Sequence, residues 1–255
     1  MSEIKLEINH LNKFFEKKQI LKDVSFTVND GEFLSILGPS GCGKTTQLRI
    51  LIGLLKTDSG SIKMDGKDIT FLHPSKRNMG IVFQNYALFE NMTVLQNVAY
   101  PLKIDKAPKS TAKEKATEML VRMGLSEPAN KKPNQLSGGQ QQRVAIARTL
   151  VKTPDVILFD EPMSALDVAT RLMLRGEFKA IQKDFHTTKI YITHDQEEAF
   201  AMSDRIMVMN NAELIQIDTP ENILSNPANQ YVRSFVIENL QKKIDSLTEY
   251  SEYVR

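Results

Sequence analysis

The chain has 255 residues, 41% of them hydrophobic, which is enough for one large domain, or a domain with a subdomain, around a packed core. Its 33 Lys and Arg stand against 31 Asp and Glu, mixed along the sequence with no long single-sign block, so no basic footprint for nucleic acid is present. Cys42 is the only cysteine, which excludes an internal disulfide and a Cys/His zinc set and points to a reducing cytosol.

The start, MSEIKLEINH, lacks the basic, apolar, small-residue order of a secretory signal. No apolar run approaches the roughly 20 residues of a membrane span. Alternation in IKLEI (4–8) and VSFTV (24–28) predicts strands, as does the apolar run FLSIL (33–37) after a turn at Asn29-Asp30-Gly31. SIKMDGKDI (61–69) predicts a hairpin turning at Asp65-Gly66, so an antiparallel N-terminal sheet is expected beside the main fold. From about residue 90 to 155, KSTAKEKATEMLVRMGL (109–125) and QQQRVAIARTLV (140–151) carry helical periodicity with almost no strand signal, which predicts a helical insertion. The short apolar runs VILF (156–159), KIYIT (189–193) and RIMVM (205–209), separated by a helical segment, have the pattern of parallel strands buried on both faces. From about 236 the tail reads as a charged helix.

GPSGCGKTT (38–46) follows the strand FLSIL and opens the helix TQLRILIGLL. In that context G-x-x-x-x-G-K-[ST] wraps backbone N–H groups around phosphates at a helix N-terminus. Gly38, Gly41 and Gly43 let the chain turn with nothing projecting into the anion, Lys44 brings a point charge to the β- and γ-phosphates, and the Thr45 hydroxyl is a ligand for Mg²⁺. The loop as a whole, with Pro39, Ser40, Cys42 and Thr46, is read as nucleotide-binding. Cys42 is a small filler whose place at a helix N-terminus predicts a lowered thiol pKa and inactivation by alkylation.

DVILFDEP (155–162) is a buried strand ending in two carboxylates. Asp160 is placed to hold Mg²⁺ through its water shell, and Glu161 to orient or deprotonate an attacking water, because adjacent residues on an extended strand point to opposite sides. These two motifs make a complete nucleotide site. NQLSGGQQQR (134–143) is nevertheless a second glycine-rich stretch before a helix, with Ser137 suited to N-cap it and backbone N–H groups available to an anion. Either it binds something else or it serves the phosphate of another copy of the protein, and spacing alone does not choose.

LSGGQQQR, together with GPSGCGKTT, ILFDEP, SALD (164–167) and THD (193–195), resembles the ATP-binding subunit of ABC transporters, over nearly the whole chain from about 4 to 235. The resemblance implies an α/β fold, a P-loop NTPase (RecA-like) core with an N-terminal antiparallel β subdomain and an inserted α-helical subdomain. Residues 1–235 would form that ATP-binding domain, with its helical part at about 90–155, and 236–255 a helical tail.

By the same resemblance, Phe15 stacks on adenine, with Phe14 adjacent and an ordinary core phenylalanine as the alternative. Gln84 in IVFQNYALF reaches Mg²⁺ and the attacking water, Asp167 lies in the loop that crosses a dimer interface, and His194 contacts the γ-phosphate. ATP bound at Lys44 of one subunit would be covered by Ser137, Gly138, Gly139 and Gln140 of the other. A hydrolytic triad of Ser164, Asp167 and His194 is set aside, because the family places all three around phosphate.

YALFENMTV (86–94) is richer in apolar and aromatic residues than a solvated loop needs to be. The resemblance implies docking of a membrane subunit's short cytoplasmic helix near Tyr86 to Thr93, with local packing as the alternative. Implied partners are a second ATP-binding subunit in a homodimer, separate transmembrane permease subunits and, indirectly, an extracytoplasmic substrate-binding protein. The place of work is the cytoplasmic face of a bacterial membrane. VFQNYALFENMTVLQNVAYPL, THDQEEAFAMSDRIMVMN and IDTPENILSNPANQYVRSF are most similar to importer ATPases of the group serving sugars, polyamines, ferric iron and phosphonates. Many of that group continue into a C-terminal β-rich regulatory domain; this chain stops at Arg255, so regulation of that type is not expected, and FVIENLQKKIDSL is read as a terminal helix. Gln47 stands where an apolar residue is usual. A soluble non-transport ABC ATPase would more often show two cassettes or a long coiled coil, and a P-loop kinase has no use for LSGGQ.

Overall fold

A computed structural model describes residues 3–164, 171, 176, 185 and 187–248, the last three by backbone alone. The chain forms two compact units, one of residues up to Phe71 together with those from Ile190 on, the other Leu72–Lys189.

The first unit opens with a long antiparallel hairpin, β1 (Ile4–Phe15) and β2 (Lys18–Asn29), in a four-stranded sheet of order β2-β1-β4-β5 with β4 (Ser59–Met64) and β5 (Lys67–Asp68). Leu6, Ile8, Val24, Phe26, Val28 and Ile62 bury its inner face, as period-2 alternation requires. Asp65 and Gly66 both take positive φ, 49° and 74°, as a two-residue type I′ turn demands. The hairpin runs well past the predicted 4–8 and 24–28. Its register shifts between Ile8 and Leu11, with His10 at φ 51°, and that bulge breaks the alternation that sequence reading relies on.

β3 (Phe33–Leu37) is buried at all five positions and pairs in parallel with β9 (Arg205–Asn210). The order continues from β3 to β8 (Thr188–Thr193) on one side, and through β9 to β10 (Glu213–Asp218) on the other. β10 runs antiparallel to β9 and was not predicted, because every one of its residues is half-buried and no apolar run marks it. Leu37, Ile206 and Val208 of these strands pack with Ala199, Ile223, Val232 and Val236 in one apolar cluster. That cluster joins α5 (Gln196–Met202), α6 (Pro220–Ser225) and a π-helical turn (Arg233–Glu238) to the sheet, and α7 (Asn239–Thr248) follows. Between β3 and β4 lies α1 (Lys44–Ile52). Gln47 on α1 is fully buried with neither amide atom hydrogen-bonded among the described residues, and nothing in the structure explains its presence.

In the second unit β6 (Met79–Val82) and β7 (Val156–Asp160) pair in parallel. Between them the described chain is helical: α2 (Val94–Ile104), α3 (Lys109–Arg122) and α4 (Gly138–Leu150). α2 starts on a capping box of Thr93 with Gln96, and Ala112, Ala116, Met119 and Leu120 form the buried stripe of α3. No helix among the described residues is long and apolar enough to cross a membrane.

Candidate functional site

In the first unit β3 runs directly into the glycine-rich loop, and α1 begins at Lys44 with Gly43 as its N-cap and no side chain capping it. The positive end of the helix is left to an external anion. A Cβ on Gly38 would lie 2.6 Å from the Met209 carbonyl oxygen, and one on Gly43 2.5 Å from that of Ile20. Gly43 also sits at φ 108°, which only glycine adopts without strain. Lys44 is 5% exposed, and its ammonium donates to the carbonyls of Gly38 at 2.7 Å and Pro39 at 3.0 Å. Its charge is thereby held against the loop itself.

Cys42 departs from expectation. It is buried at 4% exposure, and that burial pushes its thiol up, more strongly than the neighbouring Lys44 pulls it down. Desolvation outweighs the helix N-terminus that was expected to lower it.

His194 is exposed at the end of β8, in a turn fixed from within. Glu198, 3% exposed, accepts hydrogen bonds from the hydroxyls of Tyr191 at 2.9 Å and Thr193 at 2.8 Å, and Thr193 Oγ1 accepts the Asp195 N–H at 3.0 Å. Asp195 caps α5 by accepting the Glu197 N–H. The tail reaches the same turn: Gln196 Nε2 donates to the Phe235 carbonyl at 2.5 Å, and Lys243 pairs with Glu197 at 3.1 Å. Phe15 is 47% exposed, which disposes of the core-phenylalanine alternative, and the Lys13 ammonium lies 5.5 Å from its ring centroid.

In the second unit β7 is buried through Phe159 and ends at half-buried Asp160. Glu161 corrects the strand-alternation argument: it lies beyond the strand at φ 47°, in the left-handed region. A non-glycine residue there costs on the order of 1–2 kcal/mol, and such strain gathers at functional positions. Its orientation is set by a turn. Ser164 donates from its N–H and its hydroxyl to the Glu161 carbonyl, at 3.2 and 2.9 Å, and its hydroxyl accepts the Gln84 side-chain N–H at 3.0 Å. Ser164 thus links the residue expected to orient water with the glutamine expected beside it, a role that sequence reading missed. Asp167 lies outside the described residues.

Ser137 caps α4 as predicted, in a capping box with Gln140: its hydroxyl accepts the Gln140 N–H at 3.3 Å and its own N–H donates to Gln140 Oε1 at 3.0 Å. Gly138 and Gly139 are the first two residues of the helix. At the other end of α4, Arg148 donates to the carbonyls of Ala87 at 2.7 Å and Tyr86 at 2.9 Å. The Phe83–Thr93 loop packs locally, with Phe89 against Tyr100 at 4.6 Å between centroids and both the Phe89 N–H and carbonyl bonded to Asn97. It also borders a cleft of about 510 Å³ lined by Met79, Ile81, Phe83, Phe89, Tyr100, Ile104 and Arg148 among others. The expected metal ligands Thr45, Gln84 and Asp160 offer hydroxyl, amide and carboxylate oxygens, the hard donor set that suits Mg²⁺. Gln84 spends an amide N–H on Ser164, which leaves its oxygen as the remaining donor.

A family profile described as ABC transporter matches residues 21–164. The chain is 48% identical over 233 residues to the spermidine/putrescine import ATP-binding protein of Aggregatibacter actinomycetemcomitans, covering 91% of this chain and 63% of that protein. It is 45% identical over 248 residues to the protein of the same description from Thermotoga maritima, covering 97% and 67%, and 47% identical over 233 residues to that from Haemophilus influenzae, covering 91% and 63%. The chain therefore spans less than two thirds of the length of the first of these relatives.

Proposed function

The chain belongs to the ABC transporter family, and from that premise we propose that it is the ATP-binding and ATP-hydrolysing subunit of a bacterial importer, acting at the cytoplasmic face of the membrane through separate membrane-spanning subunits. The observation that carries the ATP site is the loop before α1, where a side chain at Gly38 or Gly43 would collide with backbone and a buried Lys44 brings the charge. Residues 38–46 hold the triphosphate and Phe15 stacks on the base. Thr45, Gln84 and Asp160 would hold Mg²⁺, which would supply positive charge to the triphosphate. Glu161 aligns the attacking water, with Gln84 beside it and His194 on the γ-phosphate, so the rate comes from positioning and charge rather than from a covalent step.

One such site already provides a complete cradle, and the second glycine-rich helix start, at α4, serves the nucleotide of another copy. Ser137, Gly138, Gly139 and Gln140 cover the γ-phosphate held by the partner's loop, so the closed homodimer persists only while that phosphate bridges both. Residues 1–235 constitute this ATP-binding domain, with the helical subdomain at about 90–155 and the tail beyond 236. The membrane subunit sets a short helix into the apolar cleft beside Tyr86 to Thr93, and an extracytoplasmic substrate-binding protein acts through that subunit. The relatives named for spermidine/putrescine import favour a polyamine as cargo and weigh against the soluble ATPase reading.

Glu161→Gln retains the acceptor geometry but not the carboxylate. It binds ATP, hydrolyses it poorly and elutes as a dimer in ATP but not in ADP; a monomer in both nucleotides rejects the sandwich. Uptake of labelled spermidine by cells with and without the chain tests the cargo separately, since unchanged uptake removes the polyamine and leaves the ATPase standing.

A further inference from the structure

The loop that carries Gln84 is held in a conformation its sequence does not favour. Tyr86 and Ala87, neither of them glycine, both sit in the left-handed region, at φ 59° and 47°. The Ala87 N–H bonds back to the Asn85 carbonyl at 2.6 Å, an i to i+2 closure over a residue of positive φ, which is the rare and strained form of the three-residue turn. The Tyr86 ring is buried at 7% exposure, yet its hydroxyl has no hydrogen-bond partner among the described residues. Local preference therefore opposes this arrangement at two successive residues, and something outside the loop must impose it.

Among the described residues, the side chain that bonds the backbone of both strained residues is that of Arg148. Its two terminal nitrogens donate to the carbonyls of Ala87 and Tyr86, at 2.7 and 2.9 Å, and its guanidinium lies 5.5 Å from the Phe89 ring centroid. The planar guanidinium presents two N–H donors in a fixed fork to the two successive carbonyls, a geometry that a single rotatable ammonium does not fix. Both acceptors are neutral, so the fastening is weaker than an ion pair and can be released. Arg148 stands in the last turn of α4, the helix whose first residues are Gly138 and Gly139, roughly 15 Å away at the rise of an α-helix. Arg148, Ala87 and Phe89 also line the apolar cleft.

We propose that Arg148 is a positioning residue that latches the strained Tyr86–Ala87 turn and ties the loop of Gln84 to α4. The proposal rests on the reading of Gln84 given above for its consequence in hydrolysis, but the latch itself does not.

Arg148→Lys keeps the charge and loses the fork, and Ala87→Gly removes the strain that the fork opposes. Amide hydrogen exchange over residues 84–89 and steady-state ATP hydrolysis are measured on the full chain for the wild type, Arg148→Lys and the double variant. Arg148→Lys raises exchange in that segment and lowers kcat by about tenfold with little change in the KM for ATP. The double variant recovers more than half of the wild-type kcat, because glycine adopts the left-handed turn without a latch. Unchanged exchange in Arg148→Lys overturns the latch. Faster exchange with kcat intact, or a double variant no better than Arg148→Lys, overturns the positioning role, since a residue that merely packs α4 would not be rescued by a glycine 61 positions away. A wild-type chain without ATPase activity defeats the reading of Gln84 and with it the coupling to hydrolysis, while the exchange data still decide the latch.

Discussion

Ser164→Ala separates the placement of water from the binding of ATP. The variant removes one hydroxyl that donates to the Glu161 carbonyl at 2.9 Å and accepts from Gln84 Nε2 at 3.0 Å. Each such bond is worth about 0.5–1.5 kcal/mol net. The Gln84 side chain is exposed and rehydrates when released, and the Glu161 carbonyl keeps the Ser164 N–H at 3.2 Å, so the combined loss lies near the low end, about 1–1.5 kcal/mol. If that much ordering is spent on holding Glu161 and Gln84 for hydrolysis, kcat falls about five- to tenfold. The phosphate loop is built from other residues, so the KM for ATP stays within about twofold. Phosphate release at saturating ATP gives kcat, a fluorescent nucleotide gives binding, and Ser164→Thr, which keeps a hydroxyl, restores most of the rate. A raised KM with kcat intact would place Ser164 in binding and refute the reasoning; an unchanged kcat would show that the link carries no catalytic weight.

Gly43→Ala places a methyl 2.5 Å from the Ile20 carbonyl oxygen at φ 108°, and should cost more than about 2 kcal/mol in urea unfolding, whereas Gly41→Ala, with nothing within 4 Å, shows only the conformational penalty of about 1–2 kcal/mol; equal losses would mean that the close approach at Gly43 is not real. Burial raises the Cys42 thiol, so native protein alkylates slowly at neutral pH, faster only above the ordinary thiol range, and at the free-thiol rate once unfolded; fast native alkylation at pH 7 would contradict the burial. Tyr231, stacked on Phe235 with its hydroxyl buried and without a partner among the described residues, has its phenol pushed up to about 12, chiefly by desolvation. The neutral form is favoured by folding, so its contribution to stability is fully present below pH 10 and is lost as pH rises toward 12. An absorbance titration should show a late-ionising phenol that Tyr231→Phe removes, and no such late step means the ring is solvated.

What was legible follows from how residues enter the fold. β3 and β7 were readable because strands covered on both faces show as apolar runs, FLSIL with its one Ser35 and the unbroken VILF, and the α4 cap because Ser137 and Gln140 are local to one another. β10 stayed hidden because it is half-buried throughout, and the far half of β1 because a bulge at His10 shifts its register. The residues of the glycine-rich loop announce themselves through spacing, since backbone suited to an anion comes as one contiguous stretch. Residues that act through contacts distant in sequence do not. Arg148 meets Tyr86 from 62 positions away and through a backbone carbonyl, which any residue in that place would offer. Glu198 shows as one acid of an exposed-looking Glu-Glu pair, and only its burial under Tyr191 and Thr193 reveals what it holds. The positive φ of Glu161 leaves no trace in residue type at all.

The two glycine-rich helix starts differ in a way that bears on what each is for. α1 begins without a capping side chain and with a buried lysine, so its first turn is incomplete until an anion arrives. α4 begins with two glycines, each about 1 kcal/mol worse than alanine inside a helix, and is already completed by the Ser137–Gln140 box, which returns about as much as one of them costs. A helix that caps itself does not need a ligand to exist. Its glycines are then an expense without local return, intelligible if the backbone they expose is meant for an anion held elsewhere. On the proposed reading, α1 takes a phosphate of its own chain's nucleotide and α4 that of a second copy, and two copies facing each other would satisfy both.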